Sequence, residues 1–317
     1  MEWKLPNTPA WPRLDHHDHA KTLQTMQLWM QIVGKIRLAQ TPWLNHSWHV
    51  PLYVTVTGLS TGLIPFGARS FTLEFDMCDH RLTLATTDGV HDKFALRPMS
   101  VAAFHDAVVD MLEHADIEVS FHGSPNEVAE PIPFRDDDRP GAYDSGYVHD
   151  LWRALVQVDR VLHRFRTGFL GKASPVHFFW GALDLAVTRF SGRPAPQHPG
   201  GIPNLPDTIT REAYSHEVSS AGFWPGMAGV APLFYSYAYP EPDTFAQQPI
   251  EPASARYDTK LKEFVLDYED VRTAADPDAT LMAFLQSTYV AAADTGNWDR
   301  AALECPTGAL GTPRPTD

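Results

Sequence analysis

Apolar residues recur every three or four positions in two long stretches of the chain, which predicts two amphipathic helices. The first covers residues 22–40 and is ended by Pro42. The second covers residues 147–165, and its arginines lie towards the end that the helix dipole makes negative. Two further helices are predicted after Ser100 and Asp276, because each residue can cap a helix N-terminus.

Elsewhere, apolar, β-branched and aromatic residues alternate with polar ones over short runs, which predicts strands bounded by turns. One turn is Asp88-Gly89, and Gly181 is predicted to interrupt a longer run. The predicted strands cover residues 49–58, 71–76, 81–87, 117–121, 178–190, 214–220 and 235–239.

The order helix, antiparallel strands, helix occurs twice, so the sequence predicts an α+β protein of two similar halves packed as one body. His49 and His177 precede a strand at corresponding places in the two halves. An internal duplication explains this repetition, and chance is the alternative because the order is common. The predicted division is an extended arm (1–20), a first half (21–125), an acidic proline-rich connector (126–146), a second half (147–300) and a flexible tail (301–317).

The composition and the net charge argue against several classes of function. The 317 residues are 44% hydrophobic and carry a formal net charge of −14, which argues against nucleic-acid binding and against docking on anionic lipid. Two cysteines imply no disulfide framework, and the sequence contains neither a leader-like start nor a membrane-length apolar run. We therefore expect a cytoplasmic monomer or small homo-oligomer whose partner is a small molecule.

Three histidines and two aspartates occupy residues 15–19. Such a group can bind a divalent transition metal weakly, but consecutive residues rarely converge on one ion. The alternative, which we favour, is an exposed helix entry with Asp18 as the N-cap.

Histidines, carboxylates and aromatic residues lie closest together in the sequence between Lys172 and Pro242. His177 begins an apolar run that Asp184 interrupts, and a carboxylate in such a place needs a partner. Strand alternation puts Arg189 on the opposite face, so Arg193 or a histidine is the predicted partner of Asp184. The competing explanation for His177 is a core histidine that is hydrogen-bonded to the backbone.

His216 and Glu217 follow in a predicted strand, where adjacent side chains point to opposite faces. If this segment is helical instead, Glu212 and His216 come together. A set of His177, His216 and Glu217 would suit Zn²⁺ or Fe²⁺, although Ser220 replaces the second histidine of the zincin pattern. The same residues would serve without a metal as a general acid and base.

Aromatic and turn residues nearby are candidates for substrate binding. Tyr235 and Tyr237 share one face of a predicted strand, which either stacks on a ligand ring or belongs to an ordinary core. The HPGG turn at residues 198–201 lacks the strand and helix that a phosphate loop needs. The candidate substrate contacts are Trp180, Arg193, His198, Trp224, Tyr235 and Tyr237.

Several long segments resemble those of a known family. They are LWMQIVGKIRLA and PWLNHSWHVPLYVT within residues 28–55, SPVHFFWG at 174–181, HPGG at 198–201 and SHEVSSAGFWPG at 215–226. By these segments the chain resembles the DUF5996 family, which consists mainly of bacterial proteins of unknown function. The resemblance implies kinship over nearly the whole chain, and it implies no activity or cofactor.

Two hypotheses about function follow from the sequence. The first is an enzyme acting on a small organic molecule, with acid–base or metal-assisted chemistry carried by His177, Asp184, His216 and Glu217. The second is a non-catalytic ligand-binding or scaffold protein, in which the same residues join the two halves. A catalytic site would leave titratable groups with shifted pKa values open to a concave pocket, whereas a structural motif would bury them fully hydrogen-bonded.

Overall fold

The computed structural model describes residues 9–227 and 229–314, and it has the α+β architecture expected from the sequence. The helices are α1 (His16–Gln40), α2 (Val101–His114), α3 (Ser145–Arg166), α4 (Asp207–Ala213), α5 (Tyr268–Arg272), α6 (Pro277–Thr295) and α7 (Arg300–Leu303). The strands of the first half are β1 (Tyr53–Val54), β2 (Gly58–Ser60), β3 (Ile64–Phe66), β4 (Arg69–Asp76), β5 (Arg81–Thr86) and β6 (His91–Ala95). Those of the second half are β7 (His177–Phe179), β8 (Asp184–Pro194), β9 (His216–Trp224), β10 (Leu233–Tyr239), β11 (Arg256–Asp258) and β12 (Glu263–Asp267).

Local capping determines where two of the helices begin. The Ser100 side chain accepts a hydrogen bond from the Ala103 amide at 3.1 Å, and Asp276 accepts one from the Ala279 amide at 3.0 Å, as predicted. Helix α6 ends at Thr295, and Gly296 is its C-cap. Within the described ranges, no helix combines the length and the apolar character that crossing a membrane requires.

Helix α1 begins earlier than predicted. Its first residue is His16, so Asp18 lies in the first turn and is not the N-cap. The predicted arm over residues 1–20 therefore gives way to helix at residue 16, and its residues 1–8 lie outside the described ranges. The described part of the arm is packed in part, because Trp11 and Leu14 are buried in the core while residues 9, 10 and 13 are exposed.

Each half of the described chain contains a six-stranded antiparallel sheet. The first has the order β1-β2-β4-β5-β6, with β3 also paired to β4, and the second has the order β11-β12-β10-β9-β8-β7. In the second sheet, β10 pairs with β12 rather than with β11, whereas in the first sheet the skipped strand is β3, because β2 pairs with β4. The two strand orders differ, so they do not support an internal duplication.

The two sheets meet next to their first strands. Leu52, which precedes β1, exchanges two backbone hydrogen bonds of 2.9 Å with Phe178 of β7. A single hydrophobic core extends through both halves. It contains Phe75 of the first half and Phe223 of the second. The halves therefore pack as one body, as predicted.

Two predicted strands have a different local structure. The run over residues 49–58 is interrupted, because Pro51 has no N–H to donate and a turn precedes β2. In that turn the hydroxyl groups of Thr55 and Thr57 both donate to Glu74 Oε1 at 2.6 Å. Residues 117–121 pair with no described strand and have no regular structure.

The connector over residues 126–146 is not simply an exposed charge run. Asp137 is 3% exposed, and its two carboxylate oxygens accept hydrogen bonds of 2.7 and 2.6 Å from the Arg139 guanidinium. Phe134 is fully buried in the core. The connector is therefore packed against the molecule, and its first residues reach the cavity described next.

Candidate functional site

A cavity of about 300 Å³ lies over one face of the second sheet. Its floor consists of side chains that alternate along three adjacent strands, so every second residue faces the cavity. These floor residues are Asp184, Ala186, Thr188 and Phe190 of β8, Val218 and Ser220 of β9, and Tyr235 and Tyr237 of β10. The other lining residues are Leu38 and members of the segments 43–50, 126–127, 179–182 and 202–214.

Asp184 brings a carboxyl group to the floor. The Tyr235 hydroxyl donates to its Oδ2 at 2.5 Å, reaching from β10 across β9 to β8. Gly222 of β9 permits this contact, because a Cβ at residue 222 would lie 2.7 Å from the tyrosine hydroxyl. Burial raises the pKa of Asp184 to about 6, although the hydrogen bond from Tyr235 acts in the opposite direction.

A second carboxyl group reaches the cavity from Glu127 in the connector. Glu127 is exposed as a whole residue, but its carboxyl group lies against Gly181, where a Cβ would be 2.0 Å from Oε1. We therefore regard the carboxyl group as buried and the rest of the residue as the cavity rim. Burial and the negative charge of Asp184 raise its pKa to about 7, and the charge of Lys35 acts against them.

Helix α1 holds this part of the connector beside the cavity. The Gln31 side chain accepts a hydrogen bond from the Asn126 amide at 2.8 Å and donates one to its carbonyl at 2.9 Å. Lys35 donates to the side-chain oxygen of Asn126. Burial lowers the pKa of Lys35 to about 8, against the opposing effect of the Glu127 charge. These contacts fix the position of Glu127 relative to the second sheet.

Hydroxyl groups cover much of the remaining floor. The Tyr237 and Tyr214 hydroxyls are 2.8 Å apart, and those of Thr188 and Ser220 are 2.9 Å apart. Burial is the main cause that raises the pKa of Tyr214, Tyr235 and Tyr237 above the usual value for tyrosine. The three phenols are therefore neutral at physiological pH and can donate or accept hydrogen bonds.

His46 adds an imidazole to the cavity wall. Its φ is 59°, and its backbone N–H donates to Glu212 Oε1 at 2.8 Å, which anchors this loop on α4. Its Nδ1 carries the proton, because it lies 3.0 Å from the Ala213 carbonyl, which can only accept. Nε2 then accepts a hydrogen bond from Lys172 Nζ at 2.6 Å. Burial lowers the pKa of His46, so the imidazole is neutral at physiological pH.

The cavity brings together four of the residues proposed from the sequence, namely Trp180, Asp184, Tyr235 and Tyr237. Trp180 forms a wall, with its indole ring against Gly34 of α1 and its Nε1 donating to the Val50 carbonyl at 2.9 Å. The predicted partner of Asp184 is wrong, because Tyr235 takes the role assigned to Arg193 or a histidine.

His177 does not line the cavity, contrary to the prediction. It is 0% exposed, and neither ring nitrogen has a hydrogen-bond partner among the described residues. Three aromatic rings lie around it, those of Trp48, Tyr53 and Phe179. Burial, followed by the charges of two arginines, lowers the pKa of His177 to about 3, so it is neutral at physiological pH.

Glu217 and Arg193 form a separate pair that does not line the cavity. Arg193 Nε donates to Glu217 Oε2 at 2.8 Å, and the Ser191 hydroxyl donates to the same oxygen at 2.7 Å. Arg193 also donates to the carbonyls of Gly296 and Asn297 just beyond α6, where a basic group is favoured. These residues therefore join the sheet to α6 rather than bind a ligand in the cavity.

The remaining predicted site residues lie outside the cavity lining. Each makes a hydrogen bond within the protein: His216 Nδ1 is 3.1 Å from the Ser215 hydroxyl, His198 accepts from the Gly200 amide at 3.0 Å, and Trp224 donates to the Ala182 carbonyl at 3.0 Å. His198 is nevertheless close to the rim, because its ring stacks on that of the cavity residue Tyr214.

The proposed metal ligands are not assembled. Glu217 is bonded to Arg193, and His177 is enclosed by aromatic rings, so these two side chains do not share a site with His216. In residues 9–227 and 229–314, no three His, Cys, Asp or Glu side chains are arranged to hold an ion. Within the segment 15–19, His19 instead stacks on Tyr147 with ring centroids 4.5 Å apart.

Three site residues were missed by the sequence analysis. Glu127 lies in a segment that composition predicts to be exposed, so its packing could not be anticipated. His46 does carry a signal, since it lies within PWLNHSWHVPLYVT, where two histidines stand among aromatic residues. Tyr214 lies just before β9 and contacts Tyr237, a pairing that depends on the sheet topology.

Comparison with known proteins establishes kinship. No curated protein and no solved structure matches the chain. A family of unknown function, DUF5996, matches residues 11–305, a range that contains every residue lining the cavity. The chain therefore belongs to the DUF5996 family, as the resemblance of its long segments implied.

Proposed function

We propose that the protein is an enzyme that acts on a small organic molecule by acid–base chemistry, with Asp184 and Glu127 as the proton-transferring groups. The observation that supports this proposal is the pair of carboxyl groups opening into one aromatic-walled cavity, with pKa values raised to about 6 and about 7. Catalytic acids and bases need pKa values near the working pH, and burial is the usual means of achieving this for carboxyl groups.

Both carboxyl groups can gain or lose a proton near pH 7, because burial raises their pKa values to about 6 and about 7. Each can therefore act as the general acid or the general base, according to its ionisation once the substrate is bound. Tyr235 is a positioning residue, because its hydroxyl fixes the carboxylate orientation of Asp184. No step in this scheme requires His177 or Glu217, which the sequence had suggested as catalytic groups.

The partner in this proposal is a small molecule, and the location is the cytoplasm. A cavity of about 300 Å³ is at the lower end of the range, about 300–1,000 Å³, that small-molecule sites occupy. The net charge of −14 agrees with a protein that does not bind nucleic acid. Both cysteines are free thiols, which agrees with a reducing compartment.

Incubation with a metabolite extract tests the enzymatic proposal. We expect mass spectrometry to detect one compound that is consumed, and one that is formed, in the presence of the natural protein. Asp184→Asn and Glu127→Gln should each reduce the rate at least a hundredfold, since general acid–base catalysis contributes about 10²–10⁴-fold. Asp258→Asn, a change at a β11 carboxylate outside the cavity lining, is the matched control and should leave the rate unchanged.

Ligand binding without turnover would contradict the enzymatic proposal and support the non-catalytic alternative. In that case a compound from the extract would remain bound to the protein after gel filtration, and its concentration would not change with time. Equal turnover by the natural protein and the Asp184→Asn variant would also reject the assigned role of Asp184.

A further inference from the structure

The cavity lining contains acidic side chains but no lysine or arginine among the described residues. The acidic side chains are those of Asp184 and Glu127. Glu263 adds a carboxyl group on the same face of the sheet, because it lies two residues before Val265, the β12 partner of Tyr235. Such a distribution produces a negative potential in the cavity, which favours a cation over an anion.

Two lysines contact residues of the wall, but both ammonium groups are engaged elsewhere. Lys35 donates to the side-chain oxygen of Asn126, and Lys172 donates to Nε2 of His46. Neither lysine lines the cavity. They therefore reduce the negative potential without presenting a cation to the ligand.

Aromatic rings lie in the same cavity as the carboxyl groups. Phe179 and Trp180 are in its walls, and Tyr235 is on its floor. The face of an aromatic ring attracts an ammonium group within about 6 Å of its centroid, and the same ring packs against apolar groups. A ligand with a positive nitrogen and an apolar body satisfies both parts of the lining.

From this lining we propose that the ligand is a small amine with an apolar or aromatic body, bound as its ammonium cation by Asp184 and Glu127. The proposal rests on the function proposed above and adds the chemical class of the substrate. Tyr235 binds Oδ2 of Asp184, so Oδ1 can accept a hydrogen bond from the ammonium group, which has up to three to donate. The volume of about 300 Å³ limits the body to about one or two rings.

Binding of a cation at this place should release protons. A positive charge favours the ionised form of nearby carboxyl groups, and Glu127, with a pKa of about 7, is partly protonated at pH 7. The other titratable groups on the elements around the site are Asp184, Glu263, Lys35, Lys172, His46, Tyr214, Tyr235 and Tyr237. Glu127 and Glu263 both have a pKa of about 7, but of the two it is Glu127 that lines the cavity, so its substitution should abolish the larger part of the release.

Isothermal titration calorimetry with three probes of similar shape tests the proposal. The probes are phenethylamine, the neutral 2-phenylethanol and the anionic 3-phenylpropionate, each titrated at pH 7 in two buffers of different ionisation enthalpy. We expect the amine to bind at least tenfold more tightly than the alcohol and to release protons, and the anion to bind most weakly. Asp184→Asn should remove most of the preference for the amine, and Glu127→Gln most of the proton release. The control Asp258→Asn should change neither.

Failure of this proposal can be distinguished from failure of the proposed function. Equal or tighter binding of the alcohol or the anion, or no binding of any probe at millimolar concentration, would overturn the amine assignment even if turnover of another compound is found. A tenfold preference for the amine that is lost in Asp184→Asn would support the assignment, even if no compound in the metabolite extract is converted.

Discussion

At the scale of single residues, Asp184 illustrates how far sequence reasoning can reach. A carboxylate in an apolar strand must have a partner, and this need was visible in the sequence because the neighbours of Asp184 are apolar. The identity of the partner was not visible, because Tyr235 is 51 residues away and is brought close only by the order β8-β9-β10. The sequence therefore predicts that Asp184 has a hydrogen-bond partner, and the strand order determines which residue it is.

The raised pKa of Asp184 makes the stability of the protein depend on pH. Because the folded state holds its proton more tightly than the unfolded chain, the stabilising contribution is full below about pH 4 and is lost as pH rises through about 6. We expect the Asp184→Asn variant to become more stable relative to the natural protein as pH rises. The difference between their free energies of unfolding should shift by about 2 kcal/mol in favour of the variant between pH 4 and pH 8. Urea denaturation at both pH values measures this difference.

Asp258→Asn is the control for the pH experiment. Backbone hydrogen bonds from Leu261 and Lys260 lower the pKa of Asp258, so its removal should change the pH dependence in the opposite direction. If Asp184→Asn and the natural protein keep the same stability difference at both pH values, the carboxyl group of Asp184 is not buried as described.

His177 has the opposite dependence on pH. Its pKa is lowered to about 3, so the unfolded chain binds a proton more readily, and stability is lost as pH falls below about 6.5. When pH is lowered from 7 to 5, the His177→Leu variant should therefore lose about 2 kcal/mol less free energy of unfolding than the natural protein. Chemical denaturation at the two pH values tests this expectation. Loss of ligand binding in the folded His177→Leu variant would show instead that His177 belongs to the site.

At the scale of elements, local signals predicted most of the fold, and pairing decided the rest. Strands β4 and β5 were anticipated because their apolar residues alternate and a polar turn joins them. Residues 117–121 have a similar composition but find no strand to pair with, which composition cannot reveal. Helix α4 was missed for the opposite reason, because it follows a proline- and glycine-rich segment that predicts irregular structure.

Gly222 is the position in β9 on which the Tyr235–Asp184 contact depends. A Cβ added at residue 222 would also lie 2.6 Å from the Leu185 carbonyl, so Gly222→Ala should displace the tyrosine or separate β8 from β9. We expect a loss of stability of about 1–3 kcal/mol, together with a further rise in the pKa of Asp184 when the Tyr235 hydrogen bond is lost.

Gly123→Ala is the matched control for Gly222→Ala. A Cβ at residue 123 has no neighbour within 4 Å, so this variant should keep the stability of the natural protein. Urea denaturation and an NMR titration of the Asp184 carboxyl group provide the two measurements. An unchanged pKa in a Gly222→Ala variant that has lost stability would mean that the Tyr235 hydrogen bond does not determine the ionisation of Asp184.

At the scale of the whole molecule, the two halves share their core, and the segment before α1 crosses between them. Trp11 is 5% exposed and lies beside Phe234 and Tyr268 of the second half, with ring centroids 6.5 and 6.1 Å away. The Tyr268 hydroxyl donates to the Pro12 carbonyl at 2.8 Å. These contacts, and the bonds between Leu52 and Phe178, could not be predicted from patterns that describe each half separately.

Trp11→Ala tests whether the halves unfold as one cooperative unit. Removal of a buried tryptophan should cost about 3–5 kcal/mol. Because one core joins the halves, the cost should appear as faster hydrogen exchange in β4 and β5 of the first sheet as well as in β9 and β10 of the second. The aromatic neighbours named above belong to the second half, so an effect on the first sheet must pass through the shared core. Leu310→Ala, at a fully exposed position, should change exchange in neither sheet. Faster exchange confined to the second sheet would show that the halves unfold independently.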